Sequence, residues 1–326
     1  MKINIYDKEL NRVAIIGDRF VSCLWSEGYN STQPFTLELQ DTEEYRKKVQ
    51  ADFYVGREDR QTLMVIKTVQ FADNKIIASG KQAQRVLDDV AFVGTINENQ
   101  VIDKSIKNAY NLSNKYPFVD FVESKLGVKY KSQISNKSFL QLCEIMCLEE
   151  DVGFRSVKNG KNINIEFYQP KENPNLVFSK SFGNLNLEEI VASTEPFKNY
   201  AIVLGEGEGE QRVRVDVDAS GEKQRRELII DAKDIQREET ETDATYRSRL
   251  TARGIEKLLE CNQTLKCSFN PSADDFGKRF DLGDVLTINL ADYGLKIKAR
   301  LIRFSQTSQA NKTETTVEVG QMTIKR

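Results

Sequence analysis

The stretch from Phe280 to Phe304, FDLGDVLTINLADYGLKIKARLIRF, holds the pattern that most restricts the fold. It reads as a strand, a tight turn around Gly294 and a second strand, with charge on alternating positions. A period of two sends successive side chains to opposite faces, so such a pair needs one buried face and one wet face. The same signature stands near the other end of the chain, in Phe35-Thr36-Leu37-Glu38-Leu39. Further strand candidates up to about residue 95 are Ile3, Ile5 and Leu10 around Asp7-Lys8, then Phe20 to Trp25. Leu63 to Ile66 follows the charged turn Arg57 to Arg60, and Ile76 to Gly80 follows Asn74-Lys75. Short strands at this spacing predict a barrel or sandwich.

From about residue 100 the periodicity lengthens. Val101-Ile102 through Leu112 has helical spacing, and Phe118 to Leu126, after Pro117, is grouped with it. Ser135 or Asn136 is placed to cap a helix whose stripe is Phe139, Leu142, Cys143 and Met146, with Gly153 at its end. Asn162 to Phe167, Tyr200 to Leu204, Arg212 to Val217 and Leu228 to Asp231 return to strand patterns. The charged run Arg237 to Asp243 reads as a linker or solvated loop. Asp243 then caps a helix to about Glu260, with Tyr246, Leu250, Leu258 and Leu259 facing inward. The expected class is α+β, in four parts: β-rich 1-99, α/β 100-195, a connecting hairpin and helix 196-261, and β-rich 262-326.

Composition narrows the chemistry. The 326 residues contain no histidine, which removes Ser-His-Asp and Cys-His nucleophiles, HExxH zinc sites and a histidine general base. Carboxylate-only catalysis stays open. A net charge of −2 gives no support for general nucleic-acid or membrane binding. No apolar run approaches the ~20 residues that span a bilayer, and MKINIYDKEL lacks a signal-peptide core, so folding in a cytoplasm is expected. Five cysteines, Cys23, Cys143, Cys147, Cys261 and Cys267, form no CxxC pair. Cys143 and Cys147 share a helix face and read as buried apolar fillers rather than half of a metal site.

Four groups of residues suggest sites, and each has a plainer explanation. Gly205 to Glu210, GEGEGE, has phosphate-loop glycines, but a strand pattern follows instead of a helix and Glu206, Glu208 and Glu210 repel phosphate. A charged hairpin tip explains it. Asp216, Asp218, Ser220 and Glu227 match the oxygen spacing of a calcium loop. Their flanks read as strands and Lys223 occupies a normally apolar place, so a turn at Ser220-Gly221 inside a hairpin is expected. The basic pairs Lys47-Lys48 and Arg225-Arg226 lack interleaved aromatics and read as solvated faces. Asp274-Asp275 and Asp281 with Asp284 supply paired carboxylates, which a glycosidase uses. Asp-Leu-Gly-Asp is equally what a turn into a strand requires. No catalytic, cofactor-binding or metal residue is therefore assigned.

Several stretches together resemble the hub proteins of phage tail tips and baseplates, which include the siphophage tail-associated proteins. They are IYDKEL through IGDRFVSCLWSEGYNSTQPFTLEL (Ile5 to Leu39), RRELIIDAKDI (Arg225 to Ile235), YRSRLTARGIEKL (Tyr246 to Leu258), FDLGDVLTI and ETTVEVG (Glu314 to Gly320). The resemblance implies two small β-barrel-like hub domains, 1-99 and 262-326, flanking and packed with α/β domains. It implies a homotrimer whose six barrels adapt a six-fold tail tube to a three-fold tip or spike. Its partners would be the tail tube or distal tail protein, the tape-measure protein and a tip, spike or fibre protein. DNA would only pass through the channel. No enzyme activity, cofactor or membrane anchor is implied, and the place is the virion tail after assembly in the host cytoplasm. The competing expectations are a cell-wall hydrolase acting through Asp281 and Asp284, and a monomeric binding module.

Overall fold

The computed structural model describes residues 1–113, 115–193, 195, 197–221, 224–237, 241–261, 264–270, 276–309 and 312–325. The first elements are β1 (Ile3–Tyr6), β2 (Arg12–Gly17), β3 (Ser22–Gly28), β4 (Pro34–Gln40), α1 (Glu43–Lys48), β5 (Tyr54–Arg57), β6 (Leu63–Ala72) and β7 (Lys75–Gln82). Next come β8 (Ala91–Ile96), α2 (Ile102–Asn111), β9 (Val119–Phe121), β10 (Ile134–Ser138), α3 (Phe139–Glu149), β11 (Gly153–Asn159), β12 (Asn162–Tyr168), β13 (Glu172–Ser179) and β14 (Asn186–Ser193). The chain continues through β15 (Tyr200–Leu204), β16 (Arg214–Asp218), β17 (Glu227–Asp231) and α4 (Asp243–Glu260). It closes with β18 (Thr264–Asn270), β19 (Val285–Leu290), β20 (Leu295–Gln309) and β21 (Lys312–Lys325). Two compact units result: Met1–Glu189 with Cys267–Arg326, and Ile190–Lys266.

In the larger unit a path of hydrogen-bonded strands runs β21-β20-β3-β4-β7-β6-β5-β1-β2. Alternation decides its faces: Phe35, Leu37 and Leu39 of β4 are buried, and Thr36 and Glu38 between them are half-exposed. Ile3 and Ile5 of β1, Ile16 of β2, Trp25 of β3, Ile66 of β6 and Ile76 of β7 join them in one cluster. The strands from β1 to β7 therefore share one core. β6 is buried on both faces at its start, sending Met64 and Ile66 into this cluster and Leu63 and Val65 into a second one.

That second cluster joins the β sheet to the helical segment. It collects Ile106 and Tyr110 of α2, Phe121 of β9, Phe139, Cys143, Met146 and Cys147 of α3, and Ile163 and Ile165 of β12, beside Tyr54. Burial raises the thiol pKa of Cys143 and Cys147, as befits apolar fillers. Two boundaries differ from expectation. After Pro117 the chain forms a short strand, β9, parallel to β12, because buried Val119 and Phe121 flank exposed Asp120 with a period of two. The cap of α3 is Ser138, whose capping box with Gln141 satisfies the backbone N–H of both residues, while Ser135 lies in β10; the helix stops at Glu149.

At the C-terminal side β19 and β20 pair around Gly294, whose φ of +63° suits glycine. One edge of β20 serves two neighbours in tandem, β19 along Leu295–Arg300 and β3 along Arg303–Gln309. The β-rich regions at the two ends of the chain are thus bonded strand to strand.

In the smaller unit β15 lies between antiparallel β16 and parallel β17. Ala201, Val203 and Ile230 meet Tyr246, Leu250 and Leu258 of α4. The helix starts at the cap Thr242, whose hydroxyl accepts the Thr245 N–H, rather than at Asp243. Gly254 lets the helix touch the sheet: a Cβ there would stand 2.6 Å from Val217 Cγ2 and 2.9 Å from Val203 Cγ2. The side chain of Leu259 lies outside the described residues. The segment Asp216 to Glu227 is not a hairpin, because β15 sits between β16 and β17.

Candidate functional site

Asp281 and Asp284 come together at the entry of β19, bonded to each other and to residues far along the chain. Asp284 is 6% exposed, and its carboxylate accepts the Lys171 N–H at 2.8 Å, the Asn173 amide at 3.0 Å and the Asp281 N–H at 3.1 Å. The Asp281 carboxylate accepts the Leu282 N–H at 2.8 Å and Arg155 Nη1 at 3.2 Å. Burial raises the pKa of Asp281, opposed by the Leu282 N–H and by Arg155 and Arg60. A glycosidase pair must face a sugar across a cleft. Here Asp284 accepts from backbone and amide donors, which tie the entry of β19 to the start of β13. Asp274 and Asp275 lie outside the described residues.

Around this pair the larger unit is laced by charge and aromatic contacts. Arg60 makes a bidentate ion pair with Glu27, at 2.9 and 2.7 Å, and its guanidinium lies 4.5 Å from the Phe276 ring and 5.2 Å from Phe304. Phe276 and Phe304 stack at 4.0 Å. Trp25 Nε1 and Thr62 Oγ1 also donate to Glu27. Burial alone would raise the Glu27 pKa, but Arg60 and these donors outweigh it and the net shift is downward. Arg300 donates to the Gly283 carbonyl, pairs with Asp151 at 2.6 Å and covers the Tyr29 ring. Tyr168 Oη donates to the Leu282 carbonyl. Sequence reasoning missed Glu27, Arg60 and Arg155; Glu27 and Arg60 are 33 residues apart and Arg155 is 126 from Asp281, so no local spacing announces either pair.

The remaining motifs find ordinary surroundings. Gly205 to Glu210 connects antiparallel β15 and β16, with Gly207 and Gly209 at positive φ, and Glu206 accepts the Arg237 N–H. Asp216 pairs with Arg214, Asp218 accepts both the N–H and the hydroxyl of Ser220, and Glu227 pairs with Arg225. Lys223 lies outside the described residues. Among the described residues no cluster of three or more acidic or cysteine side chains is arranged to hold a metal. Lys47 and Lys48 pair one turn back with Glu43 and Glu44 on α1. Arg225 stacks on Tyr200, and Arg226 lies 5.8 Å from the Phe197 ring.

The β-rich fold described above is that of solved phage tail proteins. The 43 kDa tail protein of prophage MuSo2 from Shewanella oneidensis superposes with a TM-score of 0.64 at 13% identity, over 98% of this chain and 98% of that one. The tail protein from Neisseria meningitidis MC58 gives 0.63 at 9% identity, over 98% and 96%. Prophage tail protein gp18 from Listeria monocytogenes EGD-e gives 0.60 at 12% identity, over 98% and 94%. The chain belongs to the Siphovirus ReqiPepy6 Gp37-like protein family, which matches residues 2–321. No curated protein sequence matches it.

Proposed function

We infer that this chain is a structural subunit of the tail tip or baseplate hub of a phage, prophage or phage-tail-like particle. The observation that carries the reading is the fold shared end to end with a prophage tail protein, over 98% of both chains. The bonding of β20 to β3 supports it further, since it sets the two β-rich ends side by side within one subunit. On this reading 1-99 and 262-326 are the two barrel-like hub domains, with 100-195 and 196-261 as the insertions. Three copies close a ring of six β units around a channel, which matches a six-fold tube on one side and a three-fold tip or spike on the other. Its neighbours are the tail tube or distal tail protein, the tape-measure protein and a tip or fibre protein, and DNA passes without being bound. Exposed Ile15, Phe71, Val93, Leu112 and Phe182 are anchors for such contacts, which bury ~800 Å² per partner in stable complexes.

The subunit carries no chemistry of its own on this reading. Antibody-gold labelling of intact particles tests the position: label at the tail tip supports the hub, and label along the tube or on the head overturns it. A cell-wall zymogram tests the absence of catalysis, with a cleared zone as the contrary result.

A further inference from the structure

The smaller unit has an unusual sheet edge. On the face turned away from α4, strand register sets three rows: Asp218, Tyr200 and Glu227; Asp216, Ile202 and Ile229; Arg214, Leu204 and Asp231. Ile229 is 70% exposed at the outer end of the middle row. Among the described residues β17 bonds only to β15, so its far edge offers free backbone donors and acceptors. Natural edges are blunted by charges, prolines or bulges. β16 follows that rule, with a charge at every other position of RVDVD. At the rim of the larger unit β2 does so differently, through irregular register with β1. β17 is blunted less: it is charged only at its ends, Glu227 and Asp231, and its register with β15 runs unbroken through Leu228-Ile229-Ile230.

Charge selects the occupant. Two copies of β17 pairing edge to edge set acidic residues opposite each other in either direction, Glu227 against Asp231 or each against itself. Like charges directly opposite are unfavourable. Both carboxylates hold an arginine of their own chain, Arg225 and Arg212, yet their side chains stay 48% and 64% exposed. An incoming cation therefore finds them accessible.

We propose that β17 is a strand-addition site for an extended segment of another polypeptide. That segment carries basic residues opposite Glu227 and Asp231, an apolar residue opposite Ile229, and apolar residues opposite Leu228 and Ile230. Backbone bonds supply affinity and the alternate side chains supply selection, as in other strand-addition complexes. The site is separate from ring closure, because its occupant is a different chain and it forms in any oligomeric state.

The test uses the full chain and two fluorescent peptides, one centred on Lys-Val-Ile-Val-Lys and one on Glu-Val-Ile-Val-Glu, followed by anisotropy and by hydrogen exchange. The lysine peptide saturates, and the glutamate peptide binds at least ~10-fold more weakly. Ile229→Lys, at an exposed side chain that folding does not need, weakens the lysine peptide by a similar factor. The amides of Glu227, Ile229 and Asp231, which point away from β15, gain protection in the complex. Equal binding of both peptides, no saturation by either up to about 1 mM, or protection confined to another edge overturns the proposal. Self-association of the free protein that Ile229→Lys abolishes also overturns it, making a second copy the occupant.

Discussion

Arg60→Met tests the physical reasoning about the larger unit. The Glu27 and Arg60 side chains are 4% and 17% exposed, so the substitution leaves a carboxylate buried beside Trp25 without its counter-charge. Removing one member of a buried pair costs about 3–5 kcal/mol, most of it from the stranded charge. Loss of the guanidinium from the Phe276 and Phe304 rings adds roughly 1 kcal/mol. pH separates the two contributions. In the wild type the Glu27 pKa is depressed, so its stabilisation is complete above the unfolded carboxylate value of about 4.3 and is lost as pH falls through the folded value. In the variant burial is opposed only by the Trp25 and Thr62 donors, the folded pKa rises, and the penalty is present above the unfolded value and relieved by protonation. Urea denaturation followed by the fluorescence of Trp25, the chain's single tryptophan, reads this directly. The expected loss is about 4–6 kcal/mol at pH 7, shrinking to roughly 1–2 kcal/mol near pH 4. The doubly substituted Glu27→Gln, Arg60→Met protein recovers part of the loss at pH 7. A variant within about 0.5 kcal/mol of wild type at pH 7, or a loss that does not shrink on acidification, refutes the account.

Other substitutions check other parts of the fold. Asp284→Ala strips three donors of their acceptor and should cost about 2–4 kcal/mol by urea denaturation, whereas Asp281→Asn, which removes a carboxylate that burial disfavours, should cost much less. Gly254→Ala usually stabilises a helix by ~1 kcal/mol, but here the added methyl meets Val217 and Val203, so the smaller unit should melt earlier by calorimetry. Burial, with Asp88 nearby and Lys81 opposing, raises the Glu144 pKa to about 7. Folding then favours its protonated form, a stabilisation present below the unfolded value and lost as pH rises through about 7. Glu144→Gln should raise Tm at pH 8 and leave it unchanged near pH 4.

The parts of this fold that sequence reasoning recovers are those written locally. Phe35 to Leu39 and the arms around Gly294 show a period of two because each strand buries one face. Cys143 and Met146 mark the inward stripe of α3 for the same kind of reason. Short segments are harder: three residues of β9 hold too little pattern to separate a strand from a helical turn. Pairing order is harder still, since nothing in Asp216 to Glu227 announces that β15, earlier in the chain, comes between the strands on either side. The site is the least readable part. Asp281 and Asp284 stand out in the sequence, yet their partners Arg155, Lys171 and Asn173 lie more than 100 residues away, and no local spacing announces those bonds.

Solution mass by light scattering, over a range of concentrations and with the cognate tail-tube protein absent or present, bears most directly on the hub reading. A species of three copies of the 37.2 kDa chain, seen as a ring with a central channel by electron microscopy, is the result the account predicts. A strict monomer at every concentration, alone and with the tube protein, would contradict it.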